Sequence, residues 1–311
     1  MSPPAETIKR EVIFPSGSLN LAGTLLLPGP DQRWPAVLLI PGSGQVDRDE
    51  DAKKLPINVM REIAVHLAGQ GIASFRYDKR GVGASEGSYW DTGFLDGVGD
   101  AQAALTWLKS QDHIQRKKVF VLGHSEGAGI AIRLAGTGAD LAGIILLAGW
   151  ARNSEEILLW QAEKVIPGMH GFNKWLIDVL HIDIRKNQIK QFEKIKRSKK
   201  NWYRQLNVKV NAKWLREFLG YTPGDDMKNI RVPVLAITGS KDIQVDPADL
   251  RLMAGLVKDG FEGHELPDVT HLLRVDPGVP TTATYPDQVK RPVDQRVLTL
   301  ISSWLRKQGA A

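Results

Sequence analysis

The sequence contains no cysteine, which excludes disulfide bonds, a thiol nucleophile and thiolate metal sites together. Any side-chain nucleophile must therefore use oxygen or nitrogen. No segment has the roughly 20 consecutive apolar residues that a membrane-spanning helix requires. The N-terminal stretch MSPPAETIKR also lacks the apolar run of a signal peptide. These absences predict a cytoplasmic protein without stable membrane insertion.

With 311 residues, 42% of them hydrophobic, the chain is long enough for one large α/β domain with an inserted subdomain. Its net charge of +6 comes largely from residues 185–204, where nine Lys or Arg face one acid, Glu193. Ile189, Phe192 and Ile195 recur there at helical spacing, which predicts a solvated helix with those three side chains buried. A basic rim that attracts anionic substrates is the alternative. Nucleic acid is not predicted as a partner.

The pattern of hydrophobic residues changes along the chain. Apolar and polar residues alternate through Val12 and Phe14 and again from Leu19 to Leu25, which predicts an antiparallel hairpin. Short apolar runs then alternate with segments of helical spacing, which is typical of a parallel, doubly wound sheet covered on both faces. The apolar runs are 36–40, 72–77, 118–122, 141–147 and 232–238.

Residues 151–229 differ from the segments on either side and are predicted to form a helical cap subdomain. Residues 1–150 and 230–311 would then form the catalytic α/β domain. The predicted cap helices are 154–165, 172–180, 183–198 and 212–219. Tryptophans are concentrated in this segment or at its edge, where they either roof an apolar pocket or pack the cap onto the body: Trp150, Trp160, Trp175, Trp202 and Trp214.

A G-x-S-x-G motif, Gly123 to Gly127, stands between a predicted strand and a predicted helix. In this context it indicates a nucleophile elbow, a tight turn that presents the Ser125 hydroxyl above the sheet edge. An ordinary turn serine is the alternative. The backbone N–H of Glu126 would open the helix, where peptide dipoles favour a developing oxyanion.

A second oxyanion donor is expected from the glycine-containing loop after the predicted strand 36–40, Pro41-Gly42-Ser43-Gly44. The Ser43 N–H is the candidate, with Gly44 as the alternative. A phosphate-binding loop is excluded because no G-K-[ST] follows. Neither a cofactor nor a metal site is predicted.

In enzymes with a nucleophile elbow, the catalytic residues follow in the chain order Ser, acid, His. The acid and the base are therefore expected in the loops that follow the later strands. Only His264 and His271 follow the last predicted core strand, and His264 falls at the start of the extended segment 263–266, away from the catalytic edge. His271 is therefore the predicted base. Asp242, four residues past the strand 232–238, is the predicted acid, with Asp246 and Asp268 as the alternatives. Asp246 is instead suited to cap a following helix.

These motifs, with Asp47-Arg48-Asp49 and the stretch 78–85, DKRGVGAS, resemble the α/β-hydrolase superfamily. Within it, the chain is similar to the capped esterases and lipases related to dienelactone hydrolases and serine aminopeptidases. The resemblance implies hydrolysis through an acyl-enzyme, in which Ser125 attacks and His271 shuttles the proton. Residues 151–229 contain no motif that contributes to this resemblance. Pro41 stands where many relatives have histidine.

The leading hypothesis is a carboxylic-ester hydrolase for hydrophobic acyl or aryl esters, with a small-molecule ester as the partner. An aminopeptidase or amidase is the alternative, since Glu155 and Glu156 could bind an amino terminus, although both also suit the first turn of a helix. Thioester hydrolysis and acyl transfer use the same triad. A non-enzymatic binding module is disfavoured by an intact Ser, Asp and His, and haloalkane or epoxide chemistry would need an aspartate in place of Ser125. The sequence does not indicate the oligomeric state.

Overall fold

The computed structural model describes residues 7–30, 32–165, 184–205 and 208–310. Within these ranges eight strands form one central sheet, and two more, β7 and β8, form a separate hairpin. The strands are β1 (Ile8–Ser16), β2 (Leu19–Leu27), β3 (Trp34–Ile40), β4 (Ala73–Tyr77), β5 (Ile114–His124), β6 (Gly143–Leu147), β7 (Trp202–Gln205), β8 (Val208–Asn211), β9 (Val234–Gly239) and β10 (Phe261–Leu266).

The central sheet has the order β1-β2-β4-β3-β5-β6-β9-β10. The pairs β1 with β2 and β2 with β4 are antiparallel, and the pairs from β4 to β10 are parallel. This confirms the predicted α/β architecture with an N-terminal antiparallel hairpin. Because β5 lies near the middle of the parallel strands, its carboxyl end meets the ends of β3, β6 and β9 at one edge.

Helices cover both faces of the sheet. The α-helices of the described residues are α1 (Val59–Gly69), α2 (Phe94–Ser110), α3 (Glu126–Gly136), α4 (Ser154–Val165), α5 (Ile184–Arg197), α6 (Ala212–Leu219), α7 (Pro223–Met227), α8 (Asp249–Leu256), α9 (Tyr285–Gln288) and α10 (Gln295–Lys307). Buried residues of α2, α3 and α8 share one hydrophobic core. Those of α1 and α10 share a second core on the opposite face. This is the doubly wound packing that the alternating pattern predicts.

The segment between β6 and β9 contains α4 to α7 and the β7–β8 hairpin. Two predicted helices, 154–165 and 212–219, have the bounds of α4 and α6, and Asn211 caps α6 by accepting from the Trp214 amide at 2.9 Å. The hairpin is not among the predicted elements. The predicted helix 172–180 lies outside the described residues.

Helix α5 carries the basic stretch. The burial predicted for Phe192 and Ile195 is confirmed, since each is 4% exposed and packs with Leu159 and Leu219. The burial predicted for Ile189 is wrong, because its side chain is 38% exposed. One turn separates Ile189 from Phe192, and the small core of this segment ends between them.

Candidate active site

Ser125 lies in a strained turn between β5 and α3. Its backbone angles are φ 51° and ψ −118°, a conformation that non-glycine residues rarely adopt. The turn is held by the Ser125 N–H, which donates to the Leu147 carbonyl at the end of β6 over 2.9 Å. The predicted elbow is therefore present as backbone geometry at the end of a central strand.

The two outer glycines of the motif are required by close backbone contacts. A Cβ at Gly123 would lie 2.0 Å from the Gly127 carbonyl oxygen, and one at Gly127 would lie 2.1 Å from the Ile40 carbonyl oxygen. Any side chain at either position would force the turn or β3 to move. The spacing of the motif is thus explained by the packing of β3, β5 and α3.

The two predicted oxyanion donors lie beside Ser125. Ser43, in the loop after β3, lines the same cleft as Ser125 and Glu126. Glu126 is the first residue of α3, so its N–H is one of the unpaired amides at a helix N-terminus. The structure therefore brings Ser43, Ser125 and Glu126 together around one space.

The segment between β6 and β9 supplies much of the cleft wall. Residues of α4 and α6 face the sheet-edge residues across the opening, and most of these side chains are apolar. The described lining residues are Ser43, Ser125, Glu126, Trp150, Ile157, Leu158, Gln161, Trp214, Phe218, Gln244 and Val245. An acyl or aryl group entering the cleft would contact apolar surface.

The Glu126 side chain joins this segment to the catalytic edge, a connection that no sequence motif predicts. Glu126 Oε2 accepts from Lys79 Nζ at 2.8 Å, and Glu126 Oε1 accepts from the Trp214 indole N–H on α6. Lys79 Nζ also donates to the Gly42 carbonyl at 2.5 Å. The one signal in the sequence is the position of Lys79 two residues past β4, at the same sheet edge.

The predicted acid and base are in contact. His271, in the loop after β10, places Nδ1 2.8 Å from Asp242 Oδ2, and both side chains are buried. Asp242 Oδ1 accepts from the amides of Gln244 and Val245 at 2.8 and 2.9 Å. The carboxylate is therefore fixed with its other oxygen directed at the imidazole, an arrangement that sets the ring orientation.

Ser125 and His271 both lie in the part of the chain that the structure describes, and no hydrogen bond connects their side chains. His124, next to Ser125, lies with its ring centroid 4.9 Å from that of His271. Catalytic hydrogen bonds are often long before substrate binds and shorten in the complex. The serine, the imidazole and the carboxylate thus lie at one sheet edge, but no hydrogen bond joins the imidazole to the serine.

The alternative residues lie elsewhere. His264 is in the middle of β10, because that strand begins at Phe261 rather than at the predicted residue 263, and its Nε2 contacts Glu262 at 2.9 Å. Asp246 accepts from Arg152 at 2.8 Å and from the Ala248 amide at 3.0 Å, in the turn before α8. Asp268 pairs with Lys241 at 3.0 Å. Each is engaged away from His271.

The described tryptophans of the segment do not share one role. Trp214 lines the cleft and stacks on Phe218, with ring centroids 4.7 Å apart. Trp150 is 1% exposed and also reaches the cleft wall. Trp202, 41% exposed, lies under the Lys209 ammonium at 4.0 Å and does not line the cleft. Trp175 lies outside the described residues.

The described residues contain neither a membrane-spanning helix nor a metal-binding cluster. No helix there has the length and apolar character needed to cross a membrane. No group of three or more His, Asp or Glu side chains in those ranges is arranged to hold a metal ion.

Comparison with known proteins agrees with the fold. A family model described as serine aminopeptidase, S33 matches residues 57–278. Esterase EstD from Thermotoga maritima is 29% identical over 293 residues, which are 93% of this chain and 66% of that protein. The chain thus spans slightly less than two thirds of that relative's length.

Solved structures show the same fold at low identity. Est1E from Butyrivibrio proteoclasticus, with ferulic acid bound, has a TM-score of 0.66 at 15% identity, and the match covers 96% of this chain and 100% of that chain. An esterase from Pyrococcus furiosus has a TM-score of 0.62 at 16% identity, and the match covers 97% of this chain and 91% of that chain. With the match of the family model over residues 57–278, the chain belongs to the serine aminopeptidase S33 family and has the α/β-hydrolase fold.

Proposed function

We propose that the protein is a serine esterase that cleaves carboxylic esters of hydrophobic acyl or aryl groups through an acyl-enzyme on Ser125. The observation that carries the proposal is one cleft that contains Ser43, Ser125 and Glu126 under apolar residues of the segment 151–229. The contact between His271 and Asp242 supplies an oriented base at the same edge. The relatives named as esterases support the same reaction class.

The proposed reaction follows from these positions. Ser125 Oγ attacks the ester carbonyl carbon while His271 Nε2 takes the hydroxyl proton, and Asp242 stabilises the resulting imidazolium. The N–H groups of Ser43 and Glu126 bind the oxyanion. Collapse expels the alcohol, which receives the proton from His271. Water, which gives a proton to His271, then attacks the acyl-enzyme. The carboxylic acid leaves, and Ser125 Oγ takes the proton back from His271.

The cleft favours esters over peptides with a free amino terminus. Binding an ammonium group would need a free carboxylate, and among the described lining residues the one carboxylate is Glu126. It already accepts from Lys79 and Trp214. Glu155, considered for this role from the sequence, pairs instead with Lys196 at 2.6 Å. In our proposal, residues 151–229 act as a cap that selects the acyl group.

The test is hydrolysis of p-nitrophenyl esters from acetate to decanoate beside aminoacyl p-nitroanilides. We expect ester cleavage to exceed anilide cleavage, with an optimum at medium-length acyl chains, and Ser125→Ala to be inactive. A fluorophosphonate should label the wild type at Ser125. Anilide cleavage faster than ester cleavage would favour the amidase alternative, and undiminished activity in Ser125→Ala would refute the mechanism.

A further inference from the structure

A second histidine–carboxylate pair lies behind the proposed triad. His124, the last residue of β5, places Nδ1 2.7 Å from Oε1 of Glu50, a residue of the loop that follows β3. The two residues are 2% and 3% exposed. Glu50 adopts φ 70°, in the left-handed region that a glutamate rarely occupies. A buried pair held by an unusual backbone conformation calls for a reason.

Both nitrogens of His124 face acceptors. Nε2 lies 2.9 Å from the His271 carbonyl oxygen, which cannot donate, so Nε2 must carry a proton. Glu50 Oε1 accepts from the Gly42 N–H at 2.7 Å, and because an ionised carboxylate can only accept, His124 Nδ1 donates to the same oxygen. A histidine that donates from both nitrogens is an imidazolium, and Glu50 is its counterion.

The electrostatics agree with this geometry. Burial alone would lower the pKa of His124, but the charge and hydrogen bond of Glu50, the His271 carbonyl and the charge of Asp242 outweigh it and raise that pKa. Glu50 Oε2 is buried without a partner among the described residues. An unpaired buried carboxylate oxygen is costly, so the pair is not the arrangement that stability alone would favour.

The pair connects two parts of the proposed active site. One end is the Gly42 N–H, in the loop that carries Ser43, and the other end is the backbone of His271. A Cβ at Gly42 would lie 2.4 Å from Glu50 Oε1, which shows how closely the loop packs on the carboxylate. Loop, pair and base therefore form one continuous chain of hydrogen bonds.

We propose that Glu50 and the His124 imidazolium are positioning residues that hold the oxyanion loop and His271 at a fixed separation. This inference rests on the proposed esterase function. Neither residue touches the reacting atoms in this scheme. The pair sets the distance between the base and the donor, and small errors in that distance lower the rate of the chemical step rather than the affinity for substrate.

The first test uses Glu50→Gln and His124→Gln, which keep side-chain volume but remove the charge pair. We expect kcat for a p-nitrophenyl ester to fall roughly tenfold to hundredfold, with KM changed less than about twofold. The double variant should lose no more than either single variant, because the residues act as one unit. His66→Gln is the matched control: His66 is half-buried on α1, contacts Ser302 and should keep full activity.

The second test is NMR of the wild type labelled with ¹⁵N-histidine, which needs no variant to fold. His124 is identified by its ring contacts with His271, and its two ring nitrogens should both be protonated at neutral pH. A ring with one bare nitrogen would contradict the imidazolium and the proposal built on it.

The outcomes of these tests distinguish a failure of the positioning role from a failure of the proposed esterase function. If the wild type neither hydrolyses esters nor reacts with a fluorophosphonate at Ser125, the proposed function fails and the positioning role fails with it. If the wild type is active and folded Glu50→Gln and His124→Gln keep kcat within about twofold, the positioning role alone is refuted. A drop in thermal stability with unchanged kcat would likewise show a purely structural pair.

Discussion

His271 Nδ1 and Asp242 Oδ2 are 2.8 Å apart, in a hydrogen bond that neither side chain exposes to solvent. The two residues come from loops after adjacent parallel strands, β9 and β10. Because the other oxygen of Asp242 accepts from two backbone amides, the carboxylate cannot rotate without losing them. The pair therefore fixes the imidazole in one orientation before any substrate arrives.

We predict that Asp242→Asn lowers kcat for ester hydrolysis roughly 10³- to 10⁴-fold. An asparagine amide can donate to His271 Nδ1, which favours the wrong tautomer and removes the charge that stabilises the imidazolium. The measurement is kcat at neutral pH on a medium-chain p-nitrophenyl ester. Asp246→Asn is the control, since Asp246 binds Arg152 instead of His271 and should keep activity within about threefold. The reverse result would transfer the acid role to Asp246.

We predict that Trp214→Ala shifts the preference of the enzyme toward longer acyl chains. Trp214 lines the cleft beside Ser125, so its removal opens space along the apolar wall. The ratio of kcat/KM for a decanoate ester to that for an acetate ester should rise roughly tenfold. Trp214→Phe keeps most of the ring and should shift the ratio less.

Trp202→Ala is the matched control for the cleft tryptophan. Trp202 is 41% exposed and contacts Lys209 on the neighbouring strand of the hairpin. Its removal should leave the chain-length profile unchanged. An equal shift in both variants would mean that the profile reports general loosening of the segment rather than the shape of the cleft.

We predict that Gly42→Ala lowers kcat/KM roughly 10²-fold without unfolding the protein. The added Cβ would lie 2.4 Å from Glu50 Oε1, so the loop that carries Ser43 must move away. Gly99→Ala is the contrasting change, because Gly99 is exposed in α2 and a Cβ added there would have nothing within 4 Å. It should raise the free energy of unfolding by about 0.5–1 kcal/mol and leave activity intact. Full activity in Gly42→Ala would contradict a role of this loop in catalysis.

We predict that Asp78 contributes to acid unfolding. Burial raises the pKa of its carboxyl, but hydrogen bonds from Arg48 and from the Ala84 amide outweigh burial and hold that pKa below its ordinary value. A group with a lowered pKa stabilises the folded state above its unfolded pKa, and this contribution is lost as the pH falls through the folded pKa.

Asp78→Asn should therefore be less stable than the wild type at neutral pH, since Arg48 loses its buried partner at 2.7 Å. Its free energy of unfolding should also fall less than that of the wild type between about pH 5 and about pH 3. Urea denaturation at both pH values measures the difference. Parallel losses in the two proteins would show that Asp78 is not among the groups whose protonation drives acid unfolding.

The fold and the sheet-edge residues were predictable because each depends on local sequence. Continuous apolar runs indicate parallel strands, and Ser125 and Asp242 each follow one of them. His271 follows the less apolar extended segment that forms β10, so the topology brings all three residues to one edge. The glycines of the elbow are explained by contacts of 2.0 and 2.1 Å that any side chain would violate. The role of the three sheet-edge residues in catalysis is a prediction, which the kinetic measurements described above test.

The interactions that connect distant segments were not predictable. Glu50 lies 74 residues from His124 along the chain, and Lys79 and Trp214 lie 47 and 88 residues from Glu126. No local pattern indicates such pairings. The β7–β8 hairpin is short, and it lies in a stretch rich in charged residues that is typical of helix or loop. Its strands are set by tertiary contacts, such as Asn211 donating to the Tyr89 and Thr92 carbonyls.

Glu126 has two duties that exchange of the segment 151–229 could not separate. In the proposed mechanism its backbone N–H binds the oxyanion, and its carboxylate accepts from Trp214 and Lys79. A chimera that receives this segment from a relative would inherit a new substrate pocket and, at the same junction, a disturbed anchor beside the oxyanion donor. In engineered variants, acyl selectivity and turnover are therefore expected to change together unless Glu126, Lys79 and the residue at 214 are exchanged as a set.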